Sequence, residues 1–452
     1  MDIALYNTKA KEKQVFLPIQ RGHVRLYACG PTVYDRIHVG NARPLVVFDV
    51  LVRLLRAAFP KVTYVRNVTD VDDKINSRAA ERGISISELC EQTIFSFHKD
   101  CKALNVLPPD IEPRATEHIT QMVAMITRLI EKGFAYEAEG HVLFSIEKMP
   151  DYGQLSGRSL DEMIAGARVE IAPYKAHPAD FVLWKPSKAE IPGWDSPWGR
   201  GRPGWHIECS AMSSDYLGEE FDIHAGGLDL VFPHHENEIA QSRCAHGTSQ
   251  MAAFWVHNGY VTVEGEKMSK SLGNFTTVKD ALQRHRGEVI RFSLLTAQYR
   301  ALFDFSDAAL QQARTGLDKF YRAVSVAERT GIIRDLTLLD TEFITALADD
   351  MNTPLAISCL QRLAVEANKG QLASARQLLS CASMFGLLSD ENWFAGEADD
   401  SKATFEIERA IEARNQARAS RDFDEADRIR DQLAEQGIKL LDGPDGTRWE
   451  RL

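Results

Sequence analysis

Apolar and polar positions along the chain alternate with two different periods. The run Val24-Arg25-Leu26-Tyr27-Ala28 reads as a short buried strand, followed by the turn Cys29-Gly30-Pro31-Thr32. A periodic apolar stretch from about His38 to Phe59 predicts a helix, and Val62 to Val68 alternates as a second strand. Strand, turn, helix and strand in this order make a βαβ unit, the element of a doubly wound parallel sheet. Helical patterns follow at about Asp72–Glu81 and Ile86–Leu104, until Pro108, Pro109 and Pro113 interrupt them.

From there to about residue 205 the character changes. One helix (Glu117–Lys132) leads into short alternating strands such as His141–Ser145, and residues 186–204 are dense in Pro and Gly and read as a long loop. This region reads as an insertion between two halves of a sheet, because strand-like segments return at Phe221–His224 and Phe254–Val256. Beyond Val278 the pattern is almost wholly helical. The acidic stretch Ser389–Lys402 reads as a linker, and the last fifty residues carry two charged helices and a hairpin turning at Asp442–Gly446.

Length then sets the scale: 452 residues correspond to roughly three domains. With 44% hydrophobic and 26% charged residues the chain can bury a sizeable core. Its 53 basic and 64 acidic residues give a net charge of −11, which excludes a binder that works by bulk positive charge but permits a local basic groove. The seven cysteines, at 29, 90, 101, 209, 244, 359 and 381, form no CxxC pair and predict reduced thiols. The N-terminal residues hold no apolar core of a signal, and the apolar stretch from Arg43 to Phe59 carries Asp49, Arg53 and Arg56, which predicts no membrane span and a cytoplasmic location.

Two short motifs carry nucleotide chemistry. His38-Val39-Gly40-Asn41 follows a strand and turn at the start of a helix, where a glycine lets phosphate approach and free N–H groups attract it. His38 and Asn41 are three apart and share a face; an ordinary helix start with a solvated histidine competes with this reading. Lys267-Met268-Ser269-Lys270-Ser271 lies in a polar loop after strand-like Gly259–Val263, and its two lysines suit charge developing on a phosphorus. The GxxxxGK[ST] spacing of a P-loop is absent, and no GxGxxG follows the first strand. Four further residues are acceptable zinc ligands: Cys29, Cys209, His234 and Glu238. His234 and Glu238 are four apart and project from one helical face, with His235 expected to turn about 100° away. A small buried hydrophobe is the competing reading for each cysteine, and spacing alone does not bring the four together.

The KMSKS segment, the HxGN motif and four longer stretches (Tyr27–Asp35, Asn67–Lys74, Gly204–Ser210 and His224–Glu238) together resemble the cysteinyl-tRNA synthetase family of class I aminoacyl-tRNA synthetases. The resemblance implies an α/β fold: a Rossmann-like parallel-sheet catalytic domain (1–118 and 206–300) with an inserted α+β connective domain (119–205). A helical bundle (301–395) and a small C-terminal anticodon-binding domain (402–452) follow. It implies one Zn²⁺ on Cys29, Cys209, His234 and Glu238 that takes the substrate thiolate, with Gly30, Thr69 and Trp205 around the cysteine. His38, Lys267 and Lys270 would serve developing charge, Gly40 and Asn41 the ATP phosphates, and Gly226, Gly227 and Asp229 the nucleoside, with Met268 and Lys270 also among the ATP-binding residues. L-cysteine, ATP with Mg²⁺ and tRNA(Cys) are the implied substrates, and a monomer the implied state. The first class I motif usually ends in His; here Asn41 donates a hydrogen bond but carries no charge.

For tRNA, Arg414, Arg418 and Arg421 fall at i, i+4 and i+7 and line one face, and Trp449 offers a stacking plane. The interleaved acids Glu406, Glu408, Glu412, Asp422 and Asp424 make a salt-bridged surface helix the competitor. A cysteine ligase acting on an amino sugar and an inactive RNA-binding paralogue are the alternatives; the segment after 402 argues against the first and the intact lysines against the second.

Overall fold

The computed structural model describes residues 1–158, 172–268, 274–328 and 336–394, and in the C-terminal part 407, 409–418, 420, 422–435, 438–443 and 446–451. The chain forms two compact units, Met1–Ser389 and Asp390–Leu452.

In the first unit a hairpin of β1 (Ala4–Asn7) and β2 (Glu12–Val15) precedes β3 (His23–Ala28). Helix α1 (Val39–Ala58) crosses to β4 (Lys61–Arg66), which lies parallel to β3. The expected βαβ unit is present. Helix α1 buries residues all around its axis, Val39 and Leu45 to Val52 among them, because it is sandwiched between the sheet and later helices. Helices α2 (Asp73–Arg82), α3 (Ile86–Ala103) and α4 (Ile119–Glu131) follow.

The insertion is a four-stranded antiparallel sheet of β5 (Ala135–Ala138), β6 (His141–Phe144), β7 (Phe181–Pro186) and β8 (Gly201–Pro203) in that order. The expected loop 186–204 thus ends in an edge strand, whose Pro203 opposes Trp184. A proline is tolerated at an edge, so composition alone misread it. Helix α5 (Trp205–Leu217) returns the chain to the main sheet, where β9 (Phe221–Gly227), α6 (Glu236–His246) and β10 (Ala252–Asn258) complete the parallel order β10-β9-β3-β4. One continuous core joins this sheet to the inserted one, from Tyr27 and Trp255 through Met122 and Ile126 to Phe144 and Trp184.

Strands β11 (Val261–Val263) and β12 (Glu266–Lys267) lead to helices α7 (Val278–Arg284) and α8 (Gly287–Leu295). The region expected to be wholly helical contains one more strand, β13 (Phe303–Phe305), parallel to β11; three residues are too few for a periodic signal. Helices α9 (Asp307–Glu328), α10 (Thr341–Ala348), α11 (Thr353–Asn368) and α12 (Leu372–Met384) end the first unit. In the second unit residues 409–418 are helical, α13 (Phe423–Glu435) follows, and β14 (Ile438–Gly443) pairs antiparallel with β15 (Gly446–Arg451), the expected hairpin. All seven cysteines are free, and no helix among the described residues is long and apolar enough to cross a membrane.

Candidate metal centre and nucleotide site

Four parallel strands end at one rim of the sheet, where ligands of open α/β folds gather. Cys29 follows β3 there, its N–H donating to Ala225 O of β9 at 3.2 Å. Cys209 comes from the first turns of α5, and His234 and Glu238 from the turn before α6 and from α6 itself. The thiol, imidazole and carboxylate atoms of Cys29, Cys209, His234 and Glu238 all lie within 4.8 Å of one another. The two sulfurs are 3.7 Å apart, and His234 Nε2 is 2.9 Å from Glu238 Oε1.

His235 does not turn away. Its Nε2 stands 3.4 Å from Cys29 Sγ and 3.9 Å from Glu238 Oε1, so Cys29, His224, His235 and Glu238 form a second, overlapping donor group. Positions three and four before Glu238 both fall on its helical face, so His235 belongs there as much as His234 does. The turn Val231–His235 also departs from a helix at Phe232 (φ −141°, ψ 133°), which breaks the simple rotation per residue.

The surroundings are histidine-rich and dry. His206 Nδ1 and His234 Nδ1 are 2.9 Å apart, His224 Nε2 meets Glu238 Oε2 at 2.8 Å, and His235 Nδ1 meets His257 Nε2 at 2.8 Å. Burial drives His206 and His257 down to about 3 and His235 well below its usual value, so these rings are neutral. Burial opposes ionisation of Glu238, yet the facing His224 and His234 bring it down to about 2. Burial likewise opposes the charge on His234, but Glu238 and Cys209 lift it to about 10. The Cys29 thiol, hydrogen-bonded to Cys209, brings Cys209 down to about 6, while burial pushes Cys29 far up.

A buried thiolate and carboxylate against one imidazolium leave a negative excess, the condition a cation relieves. Two sulfurs, one nitrogen and one oxygen match zinc in number and type, and His224 on Glu238 is the kind of outer partner that orients a ligand. The residues therefore fit a zinc ion. Sequence reading missed His206, His224, His235 and His257; the three-residue step from His235 to Glu238 was the available signal.

Residues expected around the substrates line the same rim. Gly30 N–H donates to Asn67 Oδ1 at 2.9 Å, and a Cβ there would stand 1.6 Å from Asn67 O, so only glycine fits. Thr69 is buried and donates to Glu208 Oε2 at 2.8 Å. The Trp205 ring, 40% exposed, stacks on His234 at 4.2 Å between centroids. A Cβ on Gly226 would press on the His235 ring at 2.7 Å, and one on Gly227 would meet Asp229 Oδ1 at 2.3 Å. His38 caps α1: its Nδ1 accepts the Asn41 N–H and Asn41 Oδ1 accepts the His38 N–H, both at 3.2 Å. Each side chain thus bonds to the other residue's backbone N–H at the start of α1. Met268 Cε lies 3.4 Å from a Cβ placed on Gly40, which brings the second motif to the first. The Lys267 side chain and all of Lys270 lie outside the described residues.

Residues 15–315 match the family described as tRNA synthetases class I (C) catalytic domain, and residues 342–390 match the DALR domain. The cysteine–tRNA ligase of Paramagnetospirillum magneticum is 59% identical over the full length of both chains, and that of Rhodospirillum rubrum 56%. This chain belongs to the cysteine–tRNA ligase family. Solved structures agree on the fold: Mycobacterium tuberculosis methionyl-tRNA synthetase with methionyl-adenylate matches with a TM-score of 0.58 at 15% identity, over 80% of this chain and 89% of that one. An Agrobacterium radiobacter leucyl-tRNA synthetase ternary complex matches with a TM-score of 0.57 at 12% identity, over 84% and 86%. The class I synthetase fold of this family member is thus an α/β parallel sheet followed by a helical DALR region.

In the second unit the expected arginine face does not form as such. Arg414 is buried, on the stripe of Ile407, Ile411 and Ala417, whereas Arg418 is exposed and Arg421 lies outside the described residues. Trp449 is partly buried and packs against the Ile407, Ile411, Ile429, Leu433 and Ile438 core. A surface helix and a small core compete for the same residues, and the core takes them.

Proposed function

We propose that this chain ligates L-cysteine to tRNA(Cys) in two steps at one site. The cysteine carboxylate attacks the α-phosphorus of ATP, releasing pyrophosphate; a ribose hydroxyl of the tRNA 3′ end then attacks the cysteinyl-adenylate and releases AMP. The observation that carries the reading is the convergence of Cys29, Cys209, His234 and Glu238 within 4.8 Å at the rim of the sheet.

Zinc held by these four would supply a soft acceptor for a thiolate, which the hydroxyl of serine does not match. Shape alone separates such near-isosteres poorly, so this is where selectivity belongs. Trp205 covers the amino-acid pocket, and Gly30 and Thr69 shape its floor. The carboxylate nucleophile needs no general base, so the chain's work is positioning and charge stabilisation. Gly40, with no side chain, and Asn41 give phosphate close access to the positive N-terminal end of α1, with His38 and the two KMSKS lysines closing over it and Met268 beside Gly40. Gly226, Gly227 and Asp229 hold the nucleoside, and Mg²⁺ enters with ATP. Segments 1–118 and 206–300 do the chemistry, 119–205 connects them, the bundle 301–395 supports them, and 402–452 reads the tRNA of a monomeric cytoplasmic enzyme.

Charging of tRNA with cysteine and with serine, side by side and with metal measured on the same sample, tests this. Cysteine-only charging with one zinc per chain is expected. Rejection of serine by protein without zinc would overturn the selection mechanism, and no charging at all would overturn the activity.

A further inference from the structure

Outside the metal centre, one group of charges is held at the same rim by bonds that the mechanism leaves unused. Glu236, 2% exposed, spreads its carboxylate over three backbone N–H groups of the loop that leaves the inserted sheet: Gly153 at 3.1 Å, Leu155 at 3.4 Å and Ser156 at 2.8 Å. Tyr152 donates to Asn237 Oδ1, and Arg243 donates to Asp151 at 2.6 Å. A short loop gripped at five residues by one helix is a fixed platform rather than a solvated excursion.

That platform ends in cations. The Arg158 guanidinium lies over the Phe232 ring at 5.1 Å, and Arg158 itself is exposed. Lys11, on the turn of the β1–β2 hairpin, reaches Gly157: a Cβ built there would stand 2.6 Å from Lys11 Nζ. The same hairpin turn touches the site, since Thr8 Oγ1 is 2.8 Å from His257 Nδ1. Two exposed cations from separate segments, one lying over an aromatic ring, are the chemistry that grips a single-stranded nucleic-acid backbone.

Resting on the ligase reading above, we infer that Lys11 and Arg158 bind backbone phosphates of the single-stranded acceptor end of tRNA as it enters the site. The polyanion must come to this rim because its 3′ hydroxyl reacts there. The ATP candidates sit on β9, α1 and the KMSKS segment, whereas these cations sit on the hairpin turn and the inserted loop.

The test uses the full-length enzyme with K11A, R158A and the double substitution, measuring cysteine-dependent ATP–pyrophosphate exchange and tRNA charging. The KM for tRNA should rise about 5- to 20-fold in the double variant while the KM values for ATP and cysteine stay unchanged. The slope of log(kcat/KM) for tRNA against log[KCl] should flatten by roughly 0.7 for each phosphate that is no longer held. R158K should restore part of the affinity, since it keeps the charge but not the planar guanidinium. An unchanged tRNA KM and salt slope overturns the inference, as does a raised KM for ATP, which would make nucleotide phosphate the occupant. Absence of exchange in the unsubstituted protein would instead sink the ligase reading on which the inference stands.

Discussion

Glu238 is the side chain on which the metal centre turns: His224 holds one oxygen, His234 the other, and Cys29 stands 3.6 Å away. Removing a ligand and removing its outer partner should therefore differ in degree. Cys209→Ala is expected to lose the metal and cysteine-dependent exchange together. His224→Ala should keep the ligands but weaken metal affinity about 10- to 100-fold, read by competition with a chromophoric chelator. The charges give a pH signature in the chelated protein. Glu238 is held at about 2, below the usual 4.5, so its contribution to stability is present above 4.5 and fades as pH falls toward 2. His234 is held at about 10, above the usual 6.5, so its contribution is present below 6.5 and fades as pH rises toward 10. The melting-temperature gap between chelated parent and His234→Asn should narrow from pH 6.5 to 10; a constant gap would refute the pairing.

Among the elements, α1 does two jobs. Its first turn is closed by the reciprocal bonds of His38 and Asn41, and its middle is tied to the helical region through Asp49. Asn41→Ala should cost about 0.5–1 kcal/mol in denaturant unfolding, the usual worth of such a cap. Arg291 of α8 is fully buried; it pairs with Asp49 and donates to the carbonyls of Leu104, Asn105 and Phe385. Arg291→Met should destabilise by about 2–4 kcal/mol, because the buried carboxylate keeps only Arg53 and the Leu107 N–H while the Leu104 and Phe385 carbonyls lose the donor that Arg291 supplies. The βαβ unit, the long helices and the final hairpin were legible in the sequence, since each is long or marked by turn residues. Strands β8 and β13 were not: three residues carry no period, and pairing across 42 residues, as Val261 with Phe303, leaves no local trace. The donor set was legible only through the family resemblance. His235 and Arg414 escaped because a single rotation rule and a charge count ignore what packs against each face.

For the molecule as a whole, the division after Ser389 separates chemistry from the small C-terminal unit. Trp393 is fully buried, so a truncation is best placed after Phe394. That shortened chain is expected to keep cysteine-dependent exchange and to charge tRNA with a clearly higher KM; normal charging would show that the tail reads nothing. The long reach of the metal centre has a further effect, on biosynthesis. Cys29 and Glu238 are 209 residues apart along the chain, and Cys29 and Cys209 are 180 apart. More than half of the polypeptide must leave the ribosome before all four donors can meet, so an ion held by them would be taken up late, and any stall before that point would release a fragment whose Cys29 lacks the other donors.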